Sequence, residues 1–199
     1  EKQGYGKVIC YPKCETHELT RRLAEMRKLG VRALCFKGDK TINNIPVLGK
    51  GCVGIVVLAH NKAGKSALKI RRTDADRAGM KREADMLRLA NSVDVGPKLF
   101  GFTENLLLTE FVDGSHLPNW LETLEEKEDA KLRVRRILRE FLEQCWRLDQ
   151  IGLDHGELSR APKHIVINAD DEVCILDFET ASTTRKVSNV TSACQYLFM

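Results

Sequence analysis

Three strings in this 199-residue chain carry residue types whose spacing suits moving a phosphate. The first is Leu48-Gly-Lys-Gly-Cys-Val-Gly-Ile-Val56, where Gly49, Gly51, Gly54 and Val56 follow a G-x-G-x-x-G-x-V pattern. Glycine backbone can approach phosphate oxygens with no Cβ in the way and donate N–H groups to them. The string lies between two runs that read as strands, which fits a hairpin closing over nucleotide phosphates rather than a strand-to-helix dinucleotide loop. Taken alone, it is equally a tight β-turn. The second is Lys69 on the next strand with Glu83 on the helix after it. An ammonium in a half-buried sheet is costly unless paired, and a strand lysine paired to a helix glutamate is a device for holding α- and β-phosphates. The third comprises Asp154-His-Gly-Glu-Leu158 and Asp177-Phe-Glu179, carboxylates able to accept a hydroxyl proton and to ligate a metal ion.

These residues need a scaffold, and the hydrophobic pattern outlines one. Residues 16–28 read as a helix with Leu19, Leu23 and Met26 on one face, and residues 31–36 as a strand closed by Gly38-Asp39. From residue 47 to 72, VLGKG, VGIVVLAH and SALKIRR read as an antiparallel meander with turn residues 61–64. Residues 73–90 read as a helix opened by Thr73-x-x-Asp76, a capping-box pattern. KLFGFT and NLLLTEFV complete a five-stranded sheet by residue 112. Helices are expected at 117–124 and 129–151, the second with Val134, Leu138, Phe141, Leu142, Cys145 and Leu148 inward, and Trp120 and Trp146 in the core. A hairpin of HIVIN and VCILDF and a weak helical pattern at 187–198 finish the chain.

In this order the motifs resemble the protein-kinase-like superfamily from about residue 47 to 179. By that resemblance Glu110-Phe-Val112 is a hinge with Glu110 beside the nucleotide, Asp154–Leu158 is the H-x-D-L catalytic loop with Glu157 in the aspartate position, and Asp177-Phe-Glu179 is the D-F-G metal motif with glutamate for glycine. Asp177 would then bind Mg²⁺ bridging the β- and γ-phosphates of ATP. The family's metal-binding asparagine, five residues after the catalytic carboxylate, is Pro162 here, and His164 is the next polar candidate. Asp154 and Glu157 both remain open as the base, and His155 matches the motif's structural histidine. Only 22 residues follow Asp177, leaving no room in this sequence for an activation segment and peptide platform. The chain is therefore more similar to the RIO and Kae1-associated atypical kinases, and closer still to small archaeal predicted serine/threonine kinases, on the string DFETASTTRKVSNVTSACQYLF. That group includes an archaeal tRNA kinase that phosphorylates a uridine 2′-hydroxyl in the variable region. The expectation is an α+β, two-lobed kinase-like fold: a basic extension at 1–46, an N-lobe with a five-stranded sheet at 47–112, and a minimal helical C-lobe at 113–199.

Charge agrees with an RNA acceptor. Residues 1–100 hold 21 Lys and Arg against 10 Asp and Glu, while residues 101–199 hold 11 against 18. Arg21, Arg22, Arg27, Lys28, Arg71 and Arg72 in the basic half, with Arg160 and Lys163 beside the catalytic loop, are the expected phosphate contacts. The resemblance thus implies an ATP- and Mg²⁺-dependent kinase acting on a tRNA ribose 2′-hydroxyl. A RIO-like protein kinase or ATPase, and a nucleotide-binding scaffold, are the competing expectations. Cys10-x-x-x-Cys14 with His17, and Cys35 as a fourth ligand, invite a zinc reading, but the spacing is not a standard knuckle and packed free thiols compete with it. Seven scattered cysteines and no leader-like N-terminus fit a cytoplasmic protein.

Overall fold

Alternation along the sheet strands decides which face each side chain takes. The computed structural model describes residues 4–62, 64–76, 79–124 and 128–198. It is a mixed α+β chain with three antiparallel sheets and six α-helices among those residues. It divides into two units, Glu1–Ala84 with Leu99–Phe111, and Asp85–Lys98 with Val112–Met199.

The first unit opens with helices α1 (Tyr5–Ile9) and α2 (Thr16–Lys28), then strands β1 (Ala33–Cys35), β2 (Lys40–Ile42), β3 (Ile45–Val47), β4 (Gly49–Lys50), β5 (Gly54–Asn61) and β6 (Gly64–Arg71). Helix α3 (Lys81–Asn91) starts in this unit and continues, from Asp85, into the second, and β7 (Leu99–Phe102) and β8 (Leu106–Glu110) complete the sheet. Its order is β1-β5-β6-β8-β7, with β4 paired to β5. The five expected strands are joined by β1, so the sheet has six. In β6, Ser66, Leu68 and Ile70 are buried on one face while Ala67, Lys69 and Arg71 take the other, the period-2 pattern of a pleated strand. Ile55, Val57, Leu68, Ile70, Leu106 and Leu108 form one core with Val8, Ile9, Cys10 and Met26, so residues of the first 46 are packed into the sheet's core. On the other face Leu107 packs with Met80 and Ala84.

Three local readings change. Helix α2 buries Glu18, Arg22, Glu25 and Met26, whereas Leu23 is exposed. The charged side is inward because its carboxylates are paired: Glu25 accepts from the Asn105 N–H at 3.0 Å, from Asn105 Nδ2 at 2.7 Å and from the Thr103 hydroxyl, and Glu18 accepts from Arg21 and Arg22. Helix α3 begins at Lys81, not at residue 73; Thr73 N–H donates to Tyr11 O at 2.8 Å, and its hydroxyl accepts the Lys13 N–H instead of capping a helix. Residues 77 and 78 of that expected helix, like residue 63 of the expected 61–64 turn, lie outside the described residues. Finally, Val47 ends a β2–β3 hairpin turned by Asn43 and Asn44 at φ 49° and 63°, the left-handed conformation that asparagine tolerates. Only Gly49 and Lys50 of the expected VLGKG strand join the large sheet.

The second unit contains β9 (Gly114–His116), α4 (Leu117–Glu122), α5 (Glu128–Gln150), a 3₁₀ segment at Leu158–Lys163, β10 (Ile165–Asn168), β11 (Val173–Ile175) and α6 (Asn189–Phe198). The expected β10–β11 hairpin is present, with β9 added at the β10 edge. Ile137, Phe141, Gln144, Cys145 and Leu148 make the buried side of α5. Trp120 is buried, but Trp146 is 56% exposed and Val134, Leu138 and Leu142 are only half-buried, so the inward face is rotated from the one expected. Among the described residues no helix is long and apolar enough to cross a membrane.

Candidate functional site

In the first unit the glycine-rich string is a hairpin between β4 and β5, with Gly49 opposite Val56 and the Gly51 N–H donating to Gly54 O at 2.8 Å. Gly54 gives Lys69 room. A Cβ there would lie 3.0 Å from Lys69 Cγ and 3.2 Å from its Cε, so glycine leaves the corridor along which the lysine side chain runs. Val56, half-buried, stands directly opposite Lys69 in the β5–β6 register. Lys69 Nζ meets Glu83 Oε1 at 2.8 Å, with both side chains largely buried. The strand lysine and helix glutamate expected to pair therefore do. Glu110 is the exposed last residue of β8, opposite Ser66.

In the second unit the catalytic-loop string leaves α5 and is pinned from several directions. Asp154 bridges Ser182 through both backbone groups, and its carboxylate accepts from Arg185 Nε at 2.8 Å. The next residue, His155, is fully buried; its N–H donates to Asn189 Oδ1 at 2.8 Å and its Nε2 lies 3.0 Å from Leu176 O, immediately before Asp177. Burial pushes its pKa down to about 4, so the ring is neutral. Its edge packs on Phe178 at 5.1 Å between centroids. Gly156 must be glycine: φ is 89°, and a Cβ would fall 2.3 Å from Arg185 Nη2.

Glu157, His164 and Asp177 converge. Their ligand atoms all lie within 4.8 Å of one another, and they are the cluster of His, Cys, Asp and Glu able to share an ion among the described residues. Glu157 Oε2 is 2.9 Å from His164 Nε2, and His164 Nδ1 is 4.0 Å from Asp177 Oδ2. The Glu157 and Asp177 side chains are 38% and 41% exposed, so both reach solvent, whereas His164 is buried. Asp177 has φ 69°, a strained conformation for a non-glycine residue that concentrates at functional sites. Two carboxylates and an imidazole make a donor set that fits a divalent cation. Cys10, Cys14 and His17 form no such cluster. The Cys10 thiol is buried and hydrogen-bonded to Cys14, which together push its pKa up to about 12.

The expected phosphate contacts separate into two sets. Arg22 is fully buried, with Nε on Glu18 at 2.6 Å and Nη1 on the carbonyls of Ile9 and Arg71, so it is structural and cannot touch a ligand. Arg71 is half-buried and donates to Asn105 Oδ1 at 3.1 Å. Arg72 is held by Asp74 at 2.7 Å and by the glycine-loop carbonyl Gly51 O at 3.2 Å. Arg21 is exposed but paired with Glu18. Arg27 and Lys28 at the end of α2, and Arg160 and Lys163 in the 3₁₀ segment, are exposed.

Sequence reasoning missed Arg185 and Asn189. Asn189 is 1% exposed and connects Asp149, Leu153 O and the His155 N–H. Its only sequence signal is its place at the head of the last helical pattern, where asparagine commonly caps.

No family model matches the chain. Over 89 residues, 45% of this chain and 71% of the relative, it is 27% identical to an uncharacterized protein of Methanocaldococcus jannaschii.

Proposed function

We propose that this chain is an ATP-dependent RNA kinase with a protein-kinase-like fold, transferring the γ-phosphate to a ribose 2′-hydroxyl of tRNA. The observation that carries the reading is the Lys69–Glu83 pair laid along Gly54 of a glycine hairpin, because a buried ammonium fixed by a carboxylate is poised to hold phosphate oxygens. The glycine-loop N–H groups and Lys69 orient the triphosphate for in-line attack. Of the two candidate bases, Asp154 is consumed by Arg185, whereas Glu157 is half-exposed and keeps one carboxylate oxygen beyond the His164 contact. Glu157 takes the proton of the attacking hydroxyl, a new O–P bond forms, and the bond to ADP breaks. Mg²⁺, held by Asp177 with His164, would neutralise charge on the β- and γ-phosphates.

RNA as acceptor is supported by the charge excess of residues 1–100 and by exposed Arg27, Lys28, Arg160 and Lys163; the uridine of the variable region comes from the family resemblance. A second reading, a RIO-like protein kinase or ATPase, is favoured by an apolar groove of about 880 Å³ along α5, lined by Val134, Leu138, Leu142, Trp146 and Val190, which suits a protein partner. Transfer from γ-labelled ATP to unmodified tRNA and, in parallel, to protein decides between them, with Asp177→Ala as control. Label in an alkali-resistant dinucleotide of the tRNA, lost in the control, is expected. Label in protein alone overturns the RNA reading.

A further inference from the structure

The imidazole of His164 is the anomaly of the second unit. Its side chain is 7% exposed, and Nε2 lies 2.9 Å from Glu157 Oε2. A carboxylate only accepts, so Nε2 carries the hydrogen and, in the neutral ring, Nδ1 presents a bare lone pair. That Nδ1 is buried and has no hydrogen-bond partner. It faces Asp177 Oδ2 at 4.0 Å, too far for a hydrogen bond, leaving a lone pair opposite an anionic oxygen. A buried acceptor left in this state costs on the order of 1–3 kcal/mol. A cation between the two atoms removes that cost, and two ligands on one small ion stand about 3–3.5 Å apart, within reach of a modest rotation of the half-exposed Asp177. The chain Glu157–His164–ion is the arrangement in which a carboxylate fixes the ring of a metal-binding histidine and raises its basicity.

We propose that His164 ligates a metal directly through Nδ1, with Asp177 as its partner and Glu157 orienting the ring, and that the site selects a divalent first-row transition ion over Mg²⁺. The proposal deepens the kinase reading by naming the ion class of the same site. Mg²⁺ prefers oxygen ligands and retains its waters, whereas affinity at a mixed nitrogen and oxygen site rises from Mn²⁺ to Co²⁺. Glu157 keeps its second oxygen for the acceptor hydroxyl.

The test is MnCl₂ and MgCl₂ titrated into the full chain, with and without a non-hydrolysable ATP analogue, combined with pulsed electron paramagnetic resonance of the Mn²⁺ form. A directly bound ¹⁴N coupling is expected in the wild-type protein. His164→Asn, checked for folding by circular dichroism, loses that coupling, and its Mn²⁺ over Mg²⁺ preference falls at least about tenfold. Glu157→Ala keeps the coupling but binds Mn²⁺ about 10- to 100-fold more weakly. A nitrogen-free Mn²⁺ spectrum under both conditions, or a folded His164→Asn variant with an unchanged Mn²⁺ to Mg²⁺ ratio, overturns the proposal. Should His164→Asn fail to fold, the wild-type spectrum decides alone. Because the spectrum reads the ligand shell whether or not phosphate moves, absent tRNA labelling sinks the kinase reading and leaves this one standing. Intact labelling with a nitrogen-free spectrum does the reverse.

Discussion

Arg185 holds Asp154. Its Nε donates to Asp154 Oδ2 at 2.8 Å while its Nη2 donates to Thr180 O at 2.7 Å, so the first carboxylate of the loop is a structural anchor. Arg185→Ala leaves that buried carboxylate uncompensated. A destabilisation of about 1–3 kcal/mol is expected in urea unfolding, below the figure for a fully buried pair because the arginine is half-exposed. Gly156→Ala displaces the same guanidinium and should destabilise in the same sense. Glu157→Gln, by contrast, should leave the unfolding midpoint nearly unchanged while abolishing most phosphate transfer. Equal stability losses in Arg185→Ala and Glu157→Gln would reverse the two roles.

Removing Lys69 tests the nucleotide end. Lys69→Met should lower transfer by about 100- to 1,000-fold, the scale for losing one preorganised charge at a reacting group. Glu83→Gln should lower it less, since the ammonium survives and only its orientation is lost. Nucleotide affinity and a thermal melt measured on the same samples separate a catalytic loss from unfolding, which matters because Glu83 is buried once its partner is gone.

The basic residues should divide by burial. Arg27→Ala with Lys28→Ala is expected to leave stability within about 0.5 kcal/mol, as exposed substitutions do, while reducing the slope of log affinity for tRNA against log salt by roughly one to two. Arg22→Ala should do the opposite and unfold the protein under mild denaturant. It removes the Arg22 donors to Glu18 Oε1 and to the carbonyls of Ile9 and Arg71, and leaves the α2 surface charge otherwise intact. Filter binding across a salt series with matched melts checks both.

Acid should weaken the second unit through His155. Its folded pKa of about 4 lies below the ordinary 6.5 because burial penalises the charged ring. The unfolded chain binds the extra proton between these values, so stability from this group is complete above about pH 6.5 and declines as pH falls toward 4, by roughly 3 kcal/mol in all. The hydrogen bond to Leu176 O and the carboxylates of Asp177 and Asp154 oppose this shift, while His164 adds to it. Urea midpoints of the wild-type protein at pH 7.5 and 4.5 should differ by more than those of His155→Phe, and equal differences would remove His155 as the cause.

Much of the scaffold was legible in the sequence because its signals are local. Short β-type runs bounded by turn residues placed β5, β6 and β8, a 23-residue amphipathic run placed α5, and the turn residues placed the β10–β11 hairpin. Glycine spacing marked the hairpin before Lys69, and the order of charged motifs marked Glu83, Glu157 and Asp177 as chemistry-bearing residues. Which carboxylate is engaged and which is open was not legible. Asp154 and Glu157 differ by their long-range partners, Arg185 31 positions away and His164 across a 3₁₀ segment, and no periodicity encodes such pairings. The same reason separates Arg22 from Arg27. Both sit on the expected polar side of one helix, but only tertiary packing supplied Arg22 with the carbonyls of Ile9 and Arg71 that make its burial tolerable. Residue types and spacing thus determined what chemistry the chain could attempt, while desolvation and distant hydrogen-bond partners, properties of the folded state alone, decided which side chains remain available to perform it.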